Sequence, residues 1–307
     1  MSAEDAMNDY TRIIVDEARR RGIEVEVLDA ELGELVLRLG EEEHHAFQSL
    51  SDLTSAVAFR ICDDKLLTRR VLERAGLPLA PGRLATGDDD AFLAEHGQVV
   101  VKPCRGEGGA GISVGVDDPA ELARAVASAR AHCGRVLLEA VAPGDDLRVL
   151  VIDGEVVAAS VRRPPVVTGD GELRLRQLIE ASNADRAFPV PLDDITEADV
   201  RAAGHDLDDV LAAGEELAVR RTANLHSGGT IHDVTDRLHP RLADLALRAT
   251  EVIGLPVAGV DLMVEDPAQP EPAVVIEVNE QPGLANHEPQ PTAERYLDLL
   301  FPQTARC

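Results

Sequence analysis

The sequence predicts a mixed α+β chain folded into two or three lobes. Three observations predict it. The 307 residues suffice for two or three cores, at about 100–200 residues per domain. Hydrophobic residues are 45% and charged residues 28% of the chain, proportions that suit a globular protein and exclude wholesale disorder. Short apolar runs of two-residue alternation recur between stretches of helical spacing, with no internal repeat.

Residues 4–20 bring Ala6, Tyr10, Ile13, Ile14 and Ala18 near helical spacing and read as an amphipathic helix. Gly22 ends it, then IEVEVLD and ELVLRLG alternate as strands, with a third in HHAFQSL. Residues 1–60 therefore form a small α/β cap, too thin to be a full domain. A helix is expected from Asp64 to Ala75, stopped by Gly76 and Pro78. The strands VVVKP and ISVGV follow, split by a glycine loop, then a helix near 118–132. These make a central lobe, 61–137. The third lobe, 138–307, opens with VLLEAV and DLRVLVIDGEVVAASVRR, the latter a hairpin whose Asp153-Gly154 suits a two-residue turn. Residues 164–216 are mixed, with a helix near 174–183 and a solvated acidic stretch, HDLDDVLAAGEE. The order β, α, β, β, α closes the chain: LAVRRTANL, a helix near 239–253, VAGVDLMVE, AVVIEVN and a helix from about residue 292.

Charge and composition exclude several functions. Asp and Glu number 56 against 30 Lys and Arg, a formal net charge of −26, and aromatic residues are only 2% with no Trp. Binding to a nucleic-acid backbone is not expected of such a surface, nor is base stacking. No apolar run reaches bilayer length, and MSAEDAMNDY is neither a signal nor a transit peptide. Cys62, Cys104, Cys133 and Cys307 have neither metal-ligand spacing nor a disulfide framework. A reduced, cytoplasmic protein without a membrane partner is expected. Among the 30 basic residues, only Lys65 and Lys102 are lysines. Where arginine replaces lysine so freely, a retained lysine marks a need for a compact ammonium.

Lys102 ends a buried strand, and Gly106, Gly108, Gly109 and Gly111 follow at once. Such a loop can fold over a polyphosphate and offer its backbone N–H groups, with the lysine as a point charge. It matches neither the Walker loop nor GxGxxG, and a plain hairpin loop is the competing reading. Near the C-terminus, Asp261 lies in VAGVDLMV, and Glu277 and Asn279 project together from VVIEVN. The short connection EDPAQPEP makes these strands antiparallel neighbours and brings Asp261 beside the pair. Two carboxylates and an amide carbonyl suit Mg²⁺ shared with phosphate oxygens; carboxylates capping strand ends in water are the alternative. In VLLEAVAPGDDLRVLVI, Leu138 and Val141 supply apolar walls, and Glu139 and Asp146 carboxylates at a proline-glycine turn. This is an adenosine crevice or an ordinary hairpin. Arg148, Arg162, Arg163, Arg220 and Arg221 flank polar or glycine segments and could bind carboxylate or phosphate at two points. Asn224, Ser227, Gly228 and Gly229 form a turn that either lies along a substrate or is a plain loop.

Taken in order, SAVAFRICDDKLLTRRVLERAGLPLAPG with Lys65, VVVKP with its glycine loop, LLEAVAPGDD, GVDLMV and IEVNEQPGL resemble the ATP-grasp superfamily over most of residues 51–302. The wording is similar to the ATP-grasp modules of N-acetylglutaminylglutamine synthetase and cyanophycin synthetase. RRTANLHSGGTIHDVTD and NEQPGLANHEPQPTAERYLDLLFPQT look particularly like the former. The resemblance implies an ATP-grasp fold in which two α+β lobes grip ATP. Lys65, Lys102 and the loop from Arg105 to Gly111 would meet its phosphates. Glu139, Ala140 and Val141 would meet adenine, and Asp146 the ribose. Asp261, Glu277 and Asn279 would hold Mg²⁺, or Mn²⁺ in its place. It implies an ADP-forming ligase joining a carboxylate to an amine through an acyl phosphate, with amino-acid or peptide substrates. Arg221 is then the first catalytic candidate, followed by Arg148 and Arg163. Asn224, Ser227, Gly228 and Gly229 would line the substrate, and a homo-oligomer is compatible. Ala140 stands where several such ligases have lysine. The large N-terminal and Mur-ligase-like domains of cyanophycin synthetase, and the acetyltransferase domain ahead of the other module, have no counterpart in these residues. The chain thus reads as a stand-alone module.

Overall fold

The structure, a computed structural model, describes residues 7–106, 108–186 and 188–305. Ala6 with the rest of residues 4–6, Glu107 of the glycine loop and Cys307 lie outside the described residues. In chain order the elements are α1 (Asp9–Arg20), β1 (Glu24–Asp29), β2 (Glu34–Leu39), β3 (Glu42–Phe47), β4 (Leu50–Ser51), α2 (Ala56–Cys62) and α3 (Lys65–Arg74). Next come β5 (Gly82–Leu84), α4 (Asp90–His96), β6 (Val99–Pro103), β7 (Ser113–Val116), α5 (Pro119–His132) and β8 (Val136–Ala140). Then follow β9 (Asp145–Ile152), β10 (Glu155–Arg163), β11 (Val166–Thr168), α6 (Leu175–Ser182), α7 (Asp194–Ala202), β12 (Glu216–Ala218) and β13 (Thr230–Asp233). Last are α8 (Pro240–Ile253), β14 (Val257–Val264), β15 (Ala273–Asn279) and α9 (Thr292–Leu300). No described helix is long and apolar enough to cross a membrane.

The strands form sheets in the orders β1-β2-β3-β4, β13-β10-β9-β14-β15, β11-β12 and β5-β8-β6-β7. Contacts divide the chain into two compact units. One is Met1–Pro81, Ala142–Ser160 and Asp233–Cys307, the other Gly82–Val141 and Val161–His232. These units cut across the consecutive stretches 1–60, 61–137 and 138–307. The reason is pairing out of chain order: β9 lies beside β14, more than a hundred residues later, and draws its segment into the first unit.

In the first unit α1 starts at an Asn8 cap, whose Oδ1 accepts from the Thr11 N–H at 3.0 Å. Its Ile14, Val15 and Ala18 share one core with Leu35 and Leu37 of β2, Leu150 and Ile152 of β9, and Leu297 and Phe301 at the C-terminal end. The cap therefore has no core of its own and is packed into its unit by the hydrophobic effect. Among its described residues the second unit contains two cores. Val99, Val101, Leu122, Val126 and Leu138 make one; Leu175, Ile179, Val190, Val200 and Val219 make the other.

Most expected elements are present, including the turn at Asp153-Gly154, where φ is +50° and +70°. Short helices α2, α4 and α7 and strands β5, β11 and β13 were not expected. The strand expected over LAVRRTANL is confined to Glu216–Ala218. Beyond it Arg220 and Arg221 leave the strand to bond with α7 and its flank.

Candidate functional site

In the second unit, β6 and β8 run antiparallel with Val100 opposite Glu139 and Lys102 opposite Leu137. Lys102 and Glu139 are thus diagonal neighbours on one face. Their Nζ and Oε2 lie 2.5 Å apart, and the residues are 4% and 7% exposed. Burying a lysine this deeply requires such a partner. The sequence assigns these side chains to phosphate and adenine; the structure brings them to each other. Ala140 pairs with Val99, and the Val141 N–H donates to the Gln98 carbonyl at 3.2 Å, leaving Val141 half exposed. Glu139 is the penultimate residue of β8 and Asp146 sits in β9, opposite Met263. Those strands belong to different sheets, so the ordinary-hairpin reading of this segment does not hold.

Gly106, Gly108, Gly109 and Gly111 have φ of +135°, +64°, +81° and +73°. Side-chain-bearing residues rarely adopt these values, which is the physical reason for the glycine cluster. Asn224 of the candidate substrate turn and Arg221, three residues before it, reach this loop and the strand after it. Asn224 Nδ2 donates to the Gly108 carbonyl at 2.9 Å, and Arg221 Nη1 to the Val114 carbonyl at 2.6 Å. The turn is closed by the Ser227 and Gly229 N–H groups, which donate to the Asn224 carbonyl at 3.1 and 3.0 Å. Gly228 allows it, since a Cβ there would stand 2.4 Å from Val190 Cγ2.

The acidic flank of α7 holds the arginine pair, and the sequence carried no signal of this. Buried Arg220 donates through Nε to Thr196 Oγ1 at 3.0 Å and through Nη2 to Asp193. Burial pushes the Asp193 carboxyl up, but the Thr196 N–H and the Arg220 guanidinium outweigh it and hold the group below the ordinary carboxylate value. Asp199 Oδ2 accepts from the Arg221 N–H at 2.9 Å. Arg163 stands exposed at the end of β10, and Arg162 beside it is half-buried.

In the first unit, β14 and β15 are antiparallel neighbours with Asp261 opposite Glu277 and Gly259 opposite Asn279. On the other edge of β14, Asp261 faces Arg148 of β9. Arg148 forks onto the Asp261 carboxylate, Nε to Oδ1 and Nη2 to Oδ2, the second at 2.9 Å. Asn279 Nδ2 reaches Asp261 Oδ2 at 3.3 Å. Gly259 makes the room: a Cβ on it would meet Arg148 Nη1 at 2.8 Å and Pro282 Cβ at 3.0 Å. Lys65 begins α3 after its Asp64 cap and pairs with Glu277, Nζ to Oε1 at 2.9 Å. Asp261, Glu277 and Asn279 are thus brought together, with one lysine and one arginine beside them. The donor chemistry, two carboxylates and one amide oxygen, fits Mg²⁺. It is not a cluster of three or more His, Cys, Asp or Glu, and among the described residues no such cluster is found. The cap supports the loop after this set. Ser49 Oγ donates to the Pro282 carbonyl at 2.6 Å, and Gln281 Nε2 to the Phe47 carbonyl at 3.1 Å.

A family model described as the RimK-like ATP-grasp domain matches residues 165–294, and one described as the prokaryotic glutathione synthetase ATP-grasp domain matches residues 85–189. The chain is 32% identical to cyanophycin synthetase of Geminocystis herdmanii, over 98% of this chain and 37% of that protein. It is 30% identical to the glutathione biosynthesis bifunctional protein GshAB of Mannheimia succiniciproducens, over 99% of this chain and 44% of that protein. The crystal structure of a bifunctional glutathione synthetase from Pasteurella multocida superimposes with a TM-score of 0.68 at 26% identity, covering 98% of this chain and 45% of that one. The chain therefore spans less than half the length of these relatives.

Proposed function

Because this chain belongs to the ATP-grasp superfamily, we propose that it is an ATP-dependent, ADP-forming carboxylate–amine ligase acting on amino acids or short peptides. The observation that carries this reading is the cross-strand pairing of Asp261 with Glu277, with the Lys65 ammonium 2.9 Å from the same glutamate. Hard oxygen ligands beside a compact cation suit a metal-bound polyphosphate. Asp261, Glu277 and the Asn279 amide oxygen would hold Mg²⁺, with Mn²⁺ a substitute. When bound, the ion neutralises charge on the phosphate oxygens. Lys65 and Lys102 would contact the phosphates, as would N–H groups of the glycine loop. Glu139 and the backbone at Ala140 and Val141 face the adenine, and Asp146 the ribose. An oxygen of the acid's carboxylate attacks the γ-phosphorus as the bond to ADP breaks. The amine nitrogen then attacks the acyl carbon, loses a proton, and phosphate leaves. Arg221, Arg148 and Arg163 stabilise the charge that develops, in that order of candidacy. Asn224, Ser227, Gly228 and Gly229 lie along the substrate.

The union of two glutamine-like units, as in N-acetylglutaminylglutamine synthesis, is the first substrate choice. A γ-glutamyl acceptor is the second, favoured by the glutathione synthetase match over residues 85–189. A cytoplasmic enzyme, able to form a homo-oligomer, goes with soluble substrates of this kind. The test is a screen of amino-acid and dipeptide pairs for Mg²⁺- and ATP-dependent phosphate release, with mass spectrometry of the product. Phosphate release that needs both an acid and an amine, with a new amide, is expected. A phosphorylated product formed without any amine would instead make the chain a small-molecule kinase. Mg-ATP binding that survives Asp261→Ala and Glu277→Ala, with no turnover of any pair, would make it a binding protein.

A further inference from the structure

Within the second unit, the candidate substrate turn and the glycine loop are joined by a side chain to which the reading above gives a different role. Asn224 uses both ends of its amide. Its Oδ1 accepts from the His226 N–H at 3.0 Å, and its Nδ2 donates to the Gly108 carbonyl at 2.9 Å. The turn that carries it is held on several sides. Arg186 Nη1 donates to the Gly228 carbonyl at 2.5 Å, and Gly228 packs against Val190. Three residues earlier Arg221 is fixed by Asp199 and donates to Val114, on the strand leaving the loop. By contrast Gly108 and Gly109 have no side chains with which to hold their own conformation. A glycine segment loses more conformational freedom than any other when it is ordered. A bond from a rigid turn to one of its carbonyls offsets part of that cost before a ligand arrives.

We propose that Asn224 is a positioning residue that sets the glycine loop for the phosphates of a nucleotide. The proposal rests on the ATP reading for the identity of the ligand, and on the Asn224–Gly108 contact for the rest. Asn224→Ser keeps an oxygen that can cap His226 but cannot reach Gly108. The probe is Mg-ADP, titrated by calorimetry into the full chain and the variant. Loss of one hydrogen bond is expected to weaken binding about three- to tenfold. Trypsin cleavage after Arg105 is expected to rise severalfold without nucleotide, while the melting temperature stays within about 1 °C of the parent, as for a surface substitution. A purely structural role would lower the melting temperature and leave the Mg-ADP affinity of the folded fraction unchanged, and that result overturns the proposal. So do equal cleavage rates and equal affinities. Neither readout depends on a product, so failure of the ligase reading shows separately in the substrate screen. If the parent bound no Mg-ADP, the ATP reading would fall, and the cleavage rates alone would decide whether Asn224 holds the loop.

Discussion

Lys102→Met removes an ammonium while keeping the length and apolar stem of the side chain, and so isolates what the charge does. Its Nζ is 2.5 Å from Glu139 Oε2, and at 4% and 7% exposure water cannot take the place of the lost partner. Removing one member of a buried ion pair costs about 3–5 kcal/mol. The lower figure, about 3 kcal/mol, is taken as the expected loss. For a unit of this size that lowers the melting midpoint by roughly 6–12 °C. Adding Glu139→Gln removes the stranded charge, and the pair is expected to show a coupling of about 2 kcal/mol in the double-mutant cycle. Nucleotide affinity separates the structural role from the phosphate role. Mg-ADP binding should fall about tenfold or more in the single variant and stay low in the double, since neither has the ammonium. Differential scanning fluorimetry and calorimetry read the two quantities. Additive melting shifts, or a Lys102→Met protein that melts like its parent, would refute the argument from burial. Affinity restored in the double variant would refute the phosphate role.

Three further outcomes are expected. Burial raises the Glu17 carboxyl, but hydrogen bonds and charge from Arg20 and Arg21 outweigh it and hold the group below its ordinary value. A depressed carboxylate stabilises the fold above its unfolded pKa, and that stability is lost as pH falls through the folded value. Glu17→Gln should therefore cost about 1–3 kcal/mol near pH 7, with the gap closing below about pH 4; a gap indifferent to pH in thermal melts would count against the pairing. The Cys62 thiol, buried and near Glu280 and Glu277, is pushed up to about 12, so iodoacetamide at pH 8 should leave it unlabelled until the protein is unfolded. Peptide mapping that finds Cys62 labelled in the folded protein would contradict this. Gly144 has φ +108°, and a Cβ there would lie 2.2 Å from the Val264 carbonyl oxygen. Since backbone meets backbone, Gly144→Ala should cost more than about 3 kcal/mol, and a variant with parental yield and melting temperature would disprove the close approach.

The parts of the fold legible in the sequence are those whose signals are local. The helix expected from Asp64 opens at an Asp64 cap, Asp153-Gly154 turns its hairpin, and the apolar strands holding Asp261 and Glu277 follow each other across a short connection; the first helix, expected from residue 4, instead begins at Asp9 after an Asn8 cap. From that connection alone Asp261 was expected beside Glu277, and the register places them directly opposite. What was not legible depends on pairing at long range. The segment after Glu139 reads as a hairpin until β8 and β9 enter different sheets. The cap reads as separate until Leu35 and Leu37 share a core with Leu297 and Phe301. Helix α2 exposes Val57 and Phe59 on its seven residues, so its sequence has no clean apolar stripe to read.

The arginines show the limit most sharply. Arg148, Arg163, Arg220 and Arg221 look alike in sequence, each next to polar or glycine residues and each able to fork onto an anion. The structure gives them different surroundings. Arg148 forks onto Asp261, Arg220 is buried against Asp193 and Thr196, Arg221 spans Asp199 and a β7 carbonyl, and Arg163 is exposed. A guanidinium has five donors in a fixed plane, so what decides its role is the set of acceptors that tertiary packing brings to it. Those acceptors come from other elements, three of them (Asp193, Thr196 and Asp199) from α7 and its N-terminal flank, a helix the sequence did not lead us to expect. The two lysines were easier to single out because their rarity is itself a sequence signal, and each is paired with a glutamate from a neighbouring strand. Scarcity can therefore mark a candidate cation in a sequence. Its partner, and so the reaction it serves, has to be read from the fold.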